Sequence, residues 1–194
     1  MPRSRVRTRL SVDQRRKQLI ELGMELFSTR AYDDIWIEEI ADQAGISRGL
    51  LYHYFPTKRD FYLAVSKAAV DEIRDLTRPD PSLPAVEQVR SALDAFLRKA
   101  KERSQGFLTA YRGALAADPE VRRIVETSRM FQSKRVLAAL GRRDPTPLLQ
   151  IAVRGWVAFV QDVTAQWLQQ RALGREDVRD MLVATLEGAI AGAS

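Results

Sequence analysis

Few side chains in this 194-residue chain are suited to catalysis or metal binding. There is no cysteine, which excludes disulfides and thiolate metal sites, and the single histidine, His53, leaves too few imidazoles for a histidine-rich cluster. No nucleophile or orienting carboxylate lies near His53 in its motif, which argues against a catalytic base there. The sequence therefore predicts no metal, no cofactor and no enzymatic activity. A helical enzyme is the weakest hypothesis, because the scattered Asp and Glu residues are typical of solvated helix faces.

Positive charge is concentrated at the N-terminus. Residues 1–17 hold seven cations and one anion, and the rest of the chain holds 24 of each, so the whole formal excess of +6 lies in the first 17 residues. Such a basic arm is typical of proteins that bind a polyanion, although a solvated terminus that only aids solubility has the same composition. Apolar stretches end well before the roughly 20 residues of a membrane span, so we expect a cytoplasmic protein.

The pattern of apolar residues predicts an all-α fold. Apolar residues recur at helical spacing, and alternating runs of β-branched residues are missing. Ser11 and Ser47 are predicted N-caps, and Asp33 or Asp34 is predicted to cap the second helix. Residues 77–84 contain three prolines and are the best candidate from composition for a boundary between domains. Helices are predicted over 11–30, 36–44, 47–54, 58–76, 85–103, 105–117, 119–141, 146–173 and 175–192.

Residues 40–47, IADQAGIS, have the features of a helix-turn-helix. Ala41 is small where two helices cross closely, and Gly45 supplies a turn that needs left-handed backbone angles. Ile46 fills the space under the turn and Leu51 packs inward. The following helix then projects its outer residues into a DNA major groove about 12 Å wide.

The longer run EEIADQAGISRGLLYHYFPTKRDFYLAV, residues 38–65, resembles the N-terminal signature of the TetR family of transcriptional regulators. The shared features are an I-A pair, a glycine turn, a Ser at the recognition-helix cap, an L-Y-x-H/Y-F run and a Lys after a short loop. The resemblance implies an arm and helix-turn-helix domain over residues 1–57. It also implies a helical effector-binding and dimerisation domain over 58–194, in which residues 58–76 form the connecting helix.

The resemblance also implies which residues contact DNA. Arg48 is the long side chain at the start of the recognition helix that is able to bond guanine bidentately, and Lys58 would neutralise a phosphate. The alternatives are that Arg48 is an ordinary solvated residue and that Tyr52 and Tyr54 are core aromatics. The expected contacts lie in the arm and around the recognition helix: Arg3, Arg5, Arg7, Trp36, Ser47, Arg48, Gly49, Leu50, Tyr52, His53, Tyr54 and Lys58.

Two positions depart from the family pattern. Ala31 replaces the glycine that usually ends the first helix, so a left-handed cap would cost roughly 1–2 kcal/mol or the chain must turn differently. Ile35-Trp36 replaces the Thr or Ser that commonly opens the second helix and bonds a phosphate. Trp36 either packs beneath the domain or lies on the sugar-phosphate backbone.

By the same resemblance, the last two long helices pair with their copies as a four-helix bundle, giving a homodimer on double-stranded DNA. A dimer joins two recognition helices that address half-sites roughly 34–36 Å apart. The apolar spacing of both helices agrees with this arrangement. The expected interface residues are Val160, Thr164, Trp167, Leu182, Thr185, Leu186 and Ala189.

A small-molecule pocket is expected in the C-terminal domain, lined by aromatic side chains and methionine. The alternative is that these side chains are ordinary core residues. The effector is expected to be largely apolar, because nothing resembles a metal or phosphate cradle. The leading hypothesis is a repressor released from a palindromic operator by this ligand. The alternative is a ligand-independent or architectural DNA-binding protein, which a pocket below about 300 Å³ would favour. The candidate pocket residues are Phe96, Phe107, Tyr111, Met130, Phe131, Trp156 and Phe159.

Overall fold

The computed structural model describes residues 10–112, 114–170 and 172–193. The expected DNA contacts Arg3, Arg5 and Arg7 lie outside these residues. Within the described ranges the secondary structure is helical and contains no strand, which confirms the all-α prediction. In the same ranges, no helix is both long and apolar enough to cross a membrane.

The helices follow the predicted order closely. The predicted helix over 105–117 is divided into α6 and a 3₁₀ turn, and the helix after it ends at Ala139, ahead of Gly141 with φ +68°. The observed elements are α1 (Val12–Thr29), a 3₁₀ turn (Tyr32–Asp34), α2 (Ile37–Gln43), α3 (Arg48–Tyr54), α4 (Lys58–Leu76), α5 (Ala85–Glu102), α6 (Ser104–Arg112), a 3₁₀ turn (Ala114–Ala117), α7 (Pro119–Ala139), α8 (Pro147–Gln169) and α9 (Arg175–Ala191).

The side chains of Ser11 and Ser47 cap α1 and α3, as the sequence predicted. The Ser11 hydroxyl accepts from the Gln14 N–H at 3.2 Å, and the Gln14 side chain accepts from the Ser11 N–H at 2.8 Å, which completes a capping box. The Ser47 hydroxyl accepts from the Leu50 N–H at 3.2 Å. These bonds satisfy backbone donors that have no partner within their own helix.

The predicted cap of α2 by Asp33 or Asp34 is wrong. Both aspartates belong to the 3₁₀ turn, and α2 starts after Trp36 without a side-chain cap. Ile35 and Trp36 are extended, so the aspartates are too far back along the chain to reach the first helical N–H groups. Ala31 is also extended, with φ −68°, so the chain leaves α1 without the left-handed cap that would have been strained.

Helices α1 and α4 approach closely at Gly23. A Cβ atom added to Gly23 would lie 2.5 Å from Val65 Cγ2 and 2.6 Å from Phe61 Cζ. The contact belongs to an apolar cluster formed by buried residues between positions 19 and 65 together with Val121 of α7. We call it the N-terminal cluster. A second cluster, the C-terminal cluster, consists of buried apolar residues between positions 89 and 193 and joins α5, α7, α8 and α9. The N-terminal helices therefore have their own core, and α7 contributes to both clusters.

Gly23→Ala is expected to destabilise the protein by roughly 1–3 kcal/mol, because the added methyl group overlaps two core side chains. The measurement is the free energy of unfolding in urea. Gly49→Ala is the matched control, since among the described residues no atom lies within 4 Å of its added Cβ. The control should stabilise α3 by up to about 1 kcal/mol. Equal effects of the two substitutions would contradict the close approach.

An ion pair joins the start of α4 to the start of α7. Arg59 donates to Asp118 through two bonds, Nε–Oδ2 at 2.6 Å and Nη2–Oδ1 at 2.8 Å. Asp118 is also the N-cap of α7 and accepts from the Glu120 N–H at 2.9 Å and the Val121 N–H at 3.3 Å. The hydrogen bond from Arg59, supported by these backbone donors, lowers the pKa of Asp118 to about 2. This pair ties the segment following α3 to a helix of the C-terminal cluster.

Asp118→Asn removes the charge but keeps a capping oxygen. Because the folded-state pKa of Asp118 is depressed, its stabilising contribution is complete above the ordinary value of 3.8 and is lost as pH falls towards about 2. We expect the thermal midpoint of the variant to lie below that of the native chain at pH 6, with a difference that shrinks below pH 4. Asp144→Asn, at an exposed position without an ion pair among the described residues, is the control. A constant difference down to pH 2.5 would refute this assignment.

Candidate nucleic-acid interface and ligand cavity

The turn between α2 and α3 forms at Gly45, as predicted. Gly45 has φ +63°, its N–H donates to the Asp42 carbonyl at 3.0 Å, and the Ile46 N–H donates to the Ala41 carbonyl at 3.0 Å. This pair of bonds is the Schellman arrangement, which requires the left-handed conformation that glycine adopts without steric penalty. The turn fixes the direction in which α3 leaves α2.

Helix α3 is held by one buried face and presents the other to solvent. Leu51 is buried with Ile40 and Ala41 of α2, whereas Arg48 and His53 point outward. The recognition helix therefore has the exposure that major-groove contact requires. The outward residues at its start are Ser47, Arg48, Gly49 and Leu50.

Tyr52 and Tyr54 are half-buried and pack against the N-terminal cluster. Part of each ring is therefore core, which was the alternative to a DNA contact, while part stays accessible. The ring of Tyr52 also lies 5.5 Å from the Arg48 guanidinium carbon.

Arg48 is held in place by two neighbours. Its Nη1 lies 2.6 Å from Glu38 Oε1 of α2, and its guanidinium lies over the Tyr52 ring. A hydrogen bond with Tyr52 and the charge of Glu38 raise the pKa of Arg48 above its usual value. Exposed pairs of this kind contribute little to stability, so Arg48 is free to exchange Glu38 for another acceptor.

Lys58 lies at the first turn of α4, with its ammonium 4.2 Å from the centre of the Tyr32 ring. Burial lowers the pKa of Lys58, opposed by the charges of Asp33 and Asp34. Trp36 is 68% exposed although the adjoining Ile35 is fully buried. This excludes packing of Trp36 beneath the domain and leaves its indole ring on the surface at the N-terminus of α2.

Most of the residues expected at the dimer interface lie in the core of their own chain. Thr164 and Leu182 are fully buried, and Val160, Trp167 and Leu186 nearly so, which corrects the prediction for these five. Thr185 and Ala189 are half-buried. The reason is that α8 carries charge only at Arg154 and Asp162 among its 23 residues, so its sequence did not indicate which apolar face turns inward.

The opposite faces of α8 and α9 carry exposed apolar side chains. These are at helical spacing and are interspersed with the exposed small residues Gly155, Ala184 and Gly188. We call this set the apolar stripe. Its large members are Leu148, Ile151, Phe159 and Met181.

A cavity of about 210 Å³ lies among α1, α4, α5, α6, α7 and α8. Its wall includes four of the seven predicted pocket residues, Phe96, Phe107, Tyr111 and Trp156. The rings of Phe107 and Tyr111 are stacked, with centroids 4.4 Å apart. Burial raises the pKa of Tyr111, so its phenol stays protonated as a donor.

The other three predicted pocket residues do not line this cavity. Met130 and Phe159 are 45% and 41% exposed on the outer faces of α7 and α8. Phe131 instead lies between two guanidinium groups, 4.4 Å from that of Arg74 and 5.4 Å from that of Arg135. The sequence missed the contribution of α1 and α4, whose residues Met24, Phe27, Tyr62 and Val65 form part of the wall. Their helical spacing was already explained by packing within the N-terminal unit.

The turn at Gly45, the buried inner face of α3 and its exposed outer face define a helix-turn-helix DNA-binding protein. The profile described as "Bacterial regulatory proteins, tetR family" matches residues 19–65, and "Tetracyclin repressor-like, C-terminal domain" matches residues 86–187. The chain belongs to the TetR family of transcriptional regulators, which are DNA-binding proteins and not enzymes.

Individual relatives agree with this family. The chain is 30% identical over 165 residues to the HTH-type transcriptional activator FasR of Mycolicibacterium smegmatis, covering 82% of this chain and 75% of that protein. A TetR-family transcriptional regulator from Streptomyces coelicolor has a TM-score of 0.88 at 30% identity, covering 95% of this chain and 83% of that one. FadR from Bacillus subtilis, solved in complex with stearoyl-CoA, has a TM-score of 0.64 at 15% identity, covering 92% and 99%, and shares the fold.

Proposed function

We propose that this protein is a cytoplasmic repressor that binds a palindromic operator as a homodimer and leaves it when a largely apolar small molecule fills the cavity. In this proposal residues 1–57 are the DNA-binding part and residues 58–194 the effector-binding and dimerisation part. The observation that carries it is the position of the cavity. Its wall includes α1 and α4, the helices that pack under α3, so a ligand there contacts the support of the recognition helix.

The cavity is the link between ligand and DNA affinity. A ligand shifts a conformational equilibrium only through different affinities for the two states. Phe27 and Tyr62 belong both to the N-terminal cluster and to the cavity wall. A ligand that needs more space than the empty cavity offers therefore binds better to a state in which α1 and α4 have moved, and that movement changes the placement of α3.

For DNA recognition we propose that Arg48 reads a base and that its neighbours fix the register. Gly49 leaves open space beside Arg48, because no described atom lies within 4 Å of an added Cβ. Tyr52, Tyr54 and Lys58 would contact the sugar-phosphate backbone, with Lys58 adding to the positive end of α4. Ser47, Leu50 and His53 complete the exposed face, and Trp36 lies on the backbone at the start of α2.

Selection of bound DNA from a randomised duplex library at about 150 mM salt tests this assignment. The native chain should enrich one palindrome, and Arg48→Ala should weaken its binding by about 1–3 kcal/mol and relax selectivity at one position per half-site. Tyr52→Ala should weaken binding without changing the preferred sequence. Lys134→Ala, which removes an exposed charge from α7, is the control. Binding without selectivity that ignores both substitutions would overturn the recognition-helix assignment.

For dimerisation we propose that the apolar stripe of α8 and α9 pairs with the same stripe of a second copy. A two-fold interface is formed by one surface patch on both subunits, and exposed apolar patches of this kind mark interaction sites. Small residues between the large ones permit close approach of helices, which suits a four-helix bundle. In this proposal the apolar stripe forms the interface that the sequence assigned to five residues now found buried within their own chain.

Ile151→Glu is expected to weaken self-association by at least about 2 kcal/mol, or about 30-fold in the dissociation constant, because a charge would be buried in the interface. Analytical ultracentrifugation over a concentration series measures it. Val12→Glu on α1 is the matched control, since Val12 is 66% exposed and Ile151 is 69% exposed. A native chain that is monomeric at micromolar concentration, or an Ile151 variant that associates as well as the native chain, would refute this interface.

Four observations bear on the effector and on the direction of regulation. The cavity volume of about 210 Å³ is below the roughly 300–1,000 Å³ of typical ligand sites, which favours the second candidate function, a ligand-independent DNA-binding protein. The mostly apolar wall contributed by six helices, and the stearoyl-CoA in the FadR structure, favour an effector with a long apolar part. FasR is named an activator, and loss of DNA binding on ligand entry would end activation as well as repression.

A further inference from the structure

The cavity has cations at two places in its wall, and they differ in how they are compensated. Lys99 lies in the last turn of α5 and Arg103 directly follows that helix, and both pair with the carboxylate of Glu72. Lys99 Nζ lies 3.3 Å from Glu72 Oε1, and Arg103 is bonded to Glu72 Oε2. Lys99 also pairs with Glu102 at 3.0 Å. The positive charge at this end is therefore neutralised within the protein.

Arg135 of α7 has no such compensation. Its Nη1 donates to the Arg74 carbonyl at 2.5 Å and lies 3.4 Å from the Thr77 hydroxyl oxygen, and among the described residues no carboxylate lies within 4 Å of it. The two nearby arginines already have partners, since Arg74 pairs with Asp71 at 3.1 Å and Arg78 with Asp75 at 3.0 Å. Burial and the charges of Arg78 and Arg74 lower the pKa of Arg135, opposed by the charge of Asp75, whose carboxylate is paired with Arg78. An arginine nevertheless keeps its charge in proteins, so this guanidinium remains a cation without a direct ion pair among the described residues.

Two neutral polar groups share the cavity wall with Arg135. Gln132 Nε2 donates to Thr77 Oγ1 at 3.3 Å, and the Thr77 hydroxyl donates to the Ile73 carbonyl at 2.7 Å. Arg135, Gln132 and Thr77 all line the cavity where α4 ends. A guanidinium with an adjacent amide is a donor set that binds carboxylate or phosphate oxygens well.

From this polar end the wall becomes apolar along α4. Ile73, Val70, Ala69 and Val65 follow one another towards Tyr62, and the two polar residues among them are Ser66 and the ion-paired Glu72. At 1.5 Å of rise per residue, the distance from Thr77 to Tyr62 along the helix is about 22 Å. A molecule that matches this wall has one anionic end and a long aliphatic part.

We propose that Arg135, with the Gln132 amide, binds the anionic head group of an effector whose aliphatic chain extends along α4 towards Tyr62, and that the Thr77 hydroxyl oxygen positions both donors. The head group is a carboxylate or a phosphate, as in a free fatty acid or an acyl-CoA thioester. This inference rests on the proposed ligand-responsive function, and it adds the chemical class of the ligand and the orientation in which it binds.

The test uses the full chain and three probes below their micellar concentrations: palmitate, palmitoyl-CoA and the uncharged methyl palmitate. Binding is followed by tryptophan fluorescence, because Trp156 lines the cavity, and operator affinity is measured in parallel. Arg135→Gln is expected to weaken binding of the anionic effector about tenfold or more, and to leave methyl palmitate unchanged. Which anion loses affinity distinguishes the carboxylate from the phosphate.

Three further variants keep the result interpretable. Arg135→Lys should restore part of the lost affinity through its charge, which separates charge recognition from a folding defect that thermal unfolding would also show. Lys134→Gln removes the adjacent exposed cation and should behave like the native chain. If Arg103→Gln weakens anion binding and Arg135→Gln does not, the head group lies at the α5 end and the proposal is overturned.

The remaining outcomes separate this inference from the proposed function. Equal affinity for all three probes, with release from the operator, would overturn the head-group site and leave the ligand-responsive function intact. Failure of every probe to bind and to change operator affinity would overturn both, and would favour the ligand-independent DNA-binding protein.

Discussion

The contact between α1 and α4 at Gly23 fixes the arrangement of the N-terminal unit and its relation to the cavity. Without a side chain at this position, Phe61 and Val65 pack directly against the α1 backbone. Phe61 also meets Phe55 edge to face with ring centroids 5.0 Å apart, and Phe55 follows α3 in the chain. The recognition helix therefore rests on α4, and α4 rests on α1, through fully buried side chains. Close-packed protein interiors transmit displacement and do not absorb it.

Helix α4 has two roles because its sides face different surroundings. One side belongs to the N-terminal cluster, and another lines the cavity from Tyr62 to the end of the helix. Helix α7 holds this arrangement from the other side, through Val121 in the N-terminal cluster and Asp118 on Arg59. A change in the cavity is thereby connected with the position of α3 through packing and one ion pair. These contacts give the proposed allosteric link a physical route, because α4 and α7 each contribute residues to the N-terminal cluster and to the cavity wall.

The charges around α2 and α3 are arranged in pairs before DNA is bound. Arg48 pairs with Glu38 and Arg30 with Glu39, and both carboxylates lie in the first turn of α2. Acidic residues are favourable at this end of a helix, and here they also orient two arginines. Because the Arg48–Glu38 pair is exposed and therefore weak, its replacement by a contact to DNA has a small energetic penalty.

The sequence by itself determined the features that depend on local interactions. The all-α class, the caps at Ser11 and Ser47, the left-handed turn at Gly45 and the family of the chain all follow from residues that act within a few positions of one another. Only the tertiary structure decided which apolar face of α8 turns inward, since both faces are apolar, and it moved the candidate interface from Thr164 and Leu182 to the apolar stripe. It also decided that Trp36 is exposed and that Arg135 meets Thr77, 58 residues away. Helical periodicity gives the spacing of residues on a face, but the partner of that face is set by packing between elements distant in sequence.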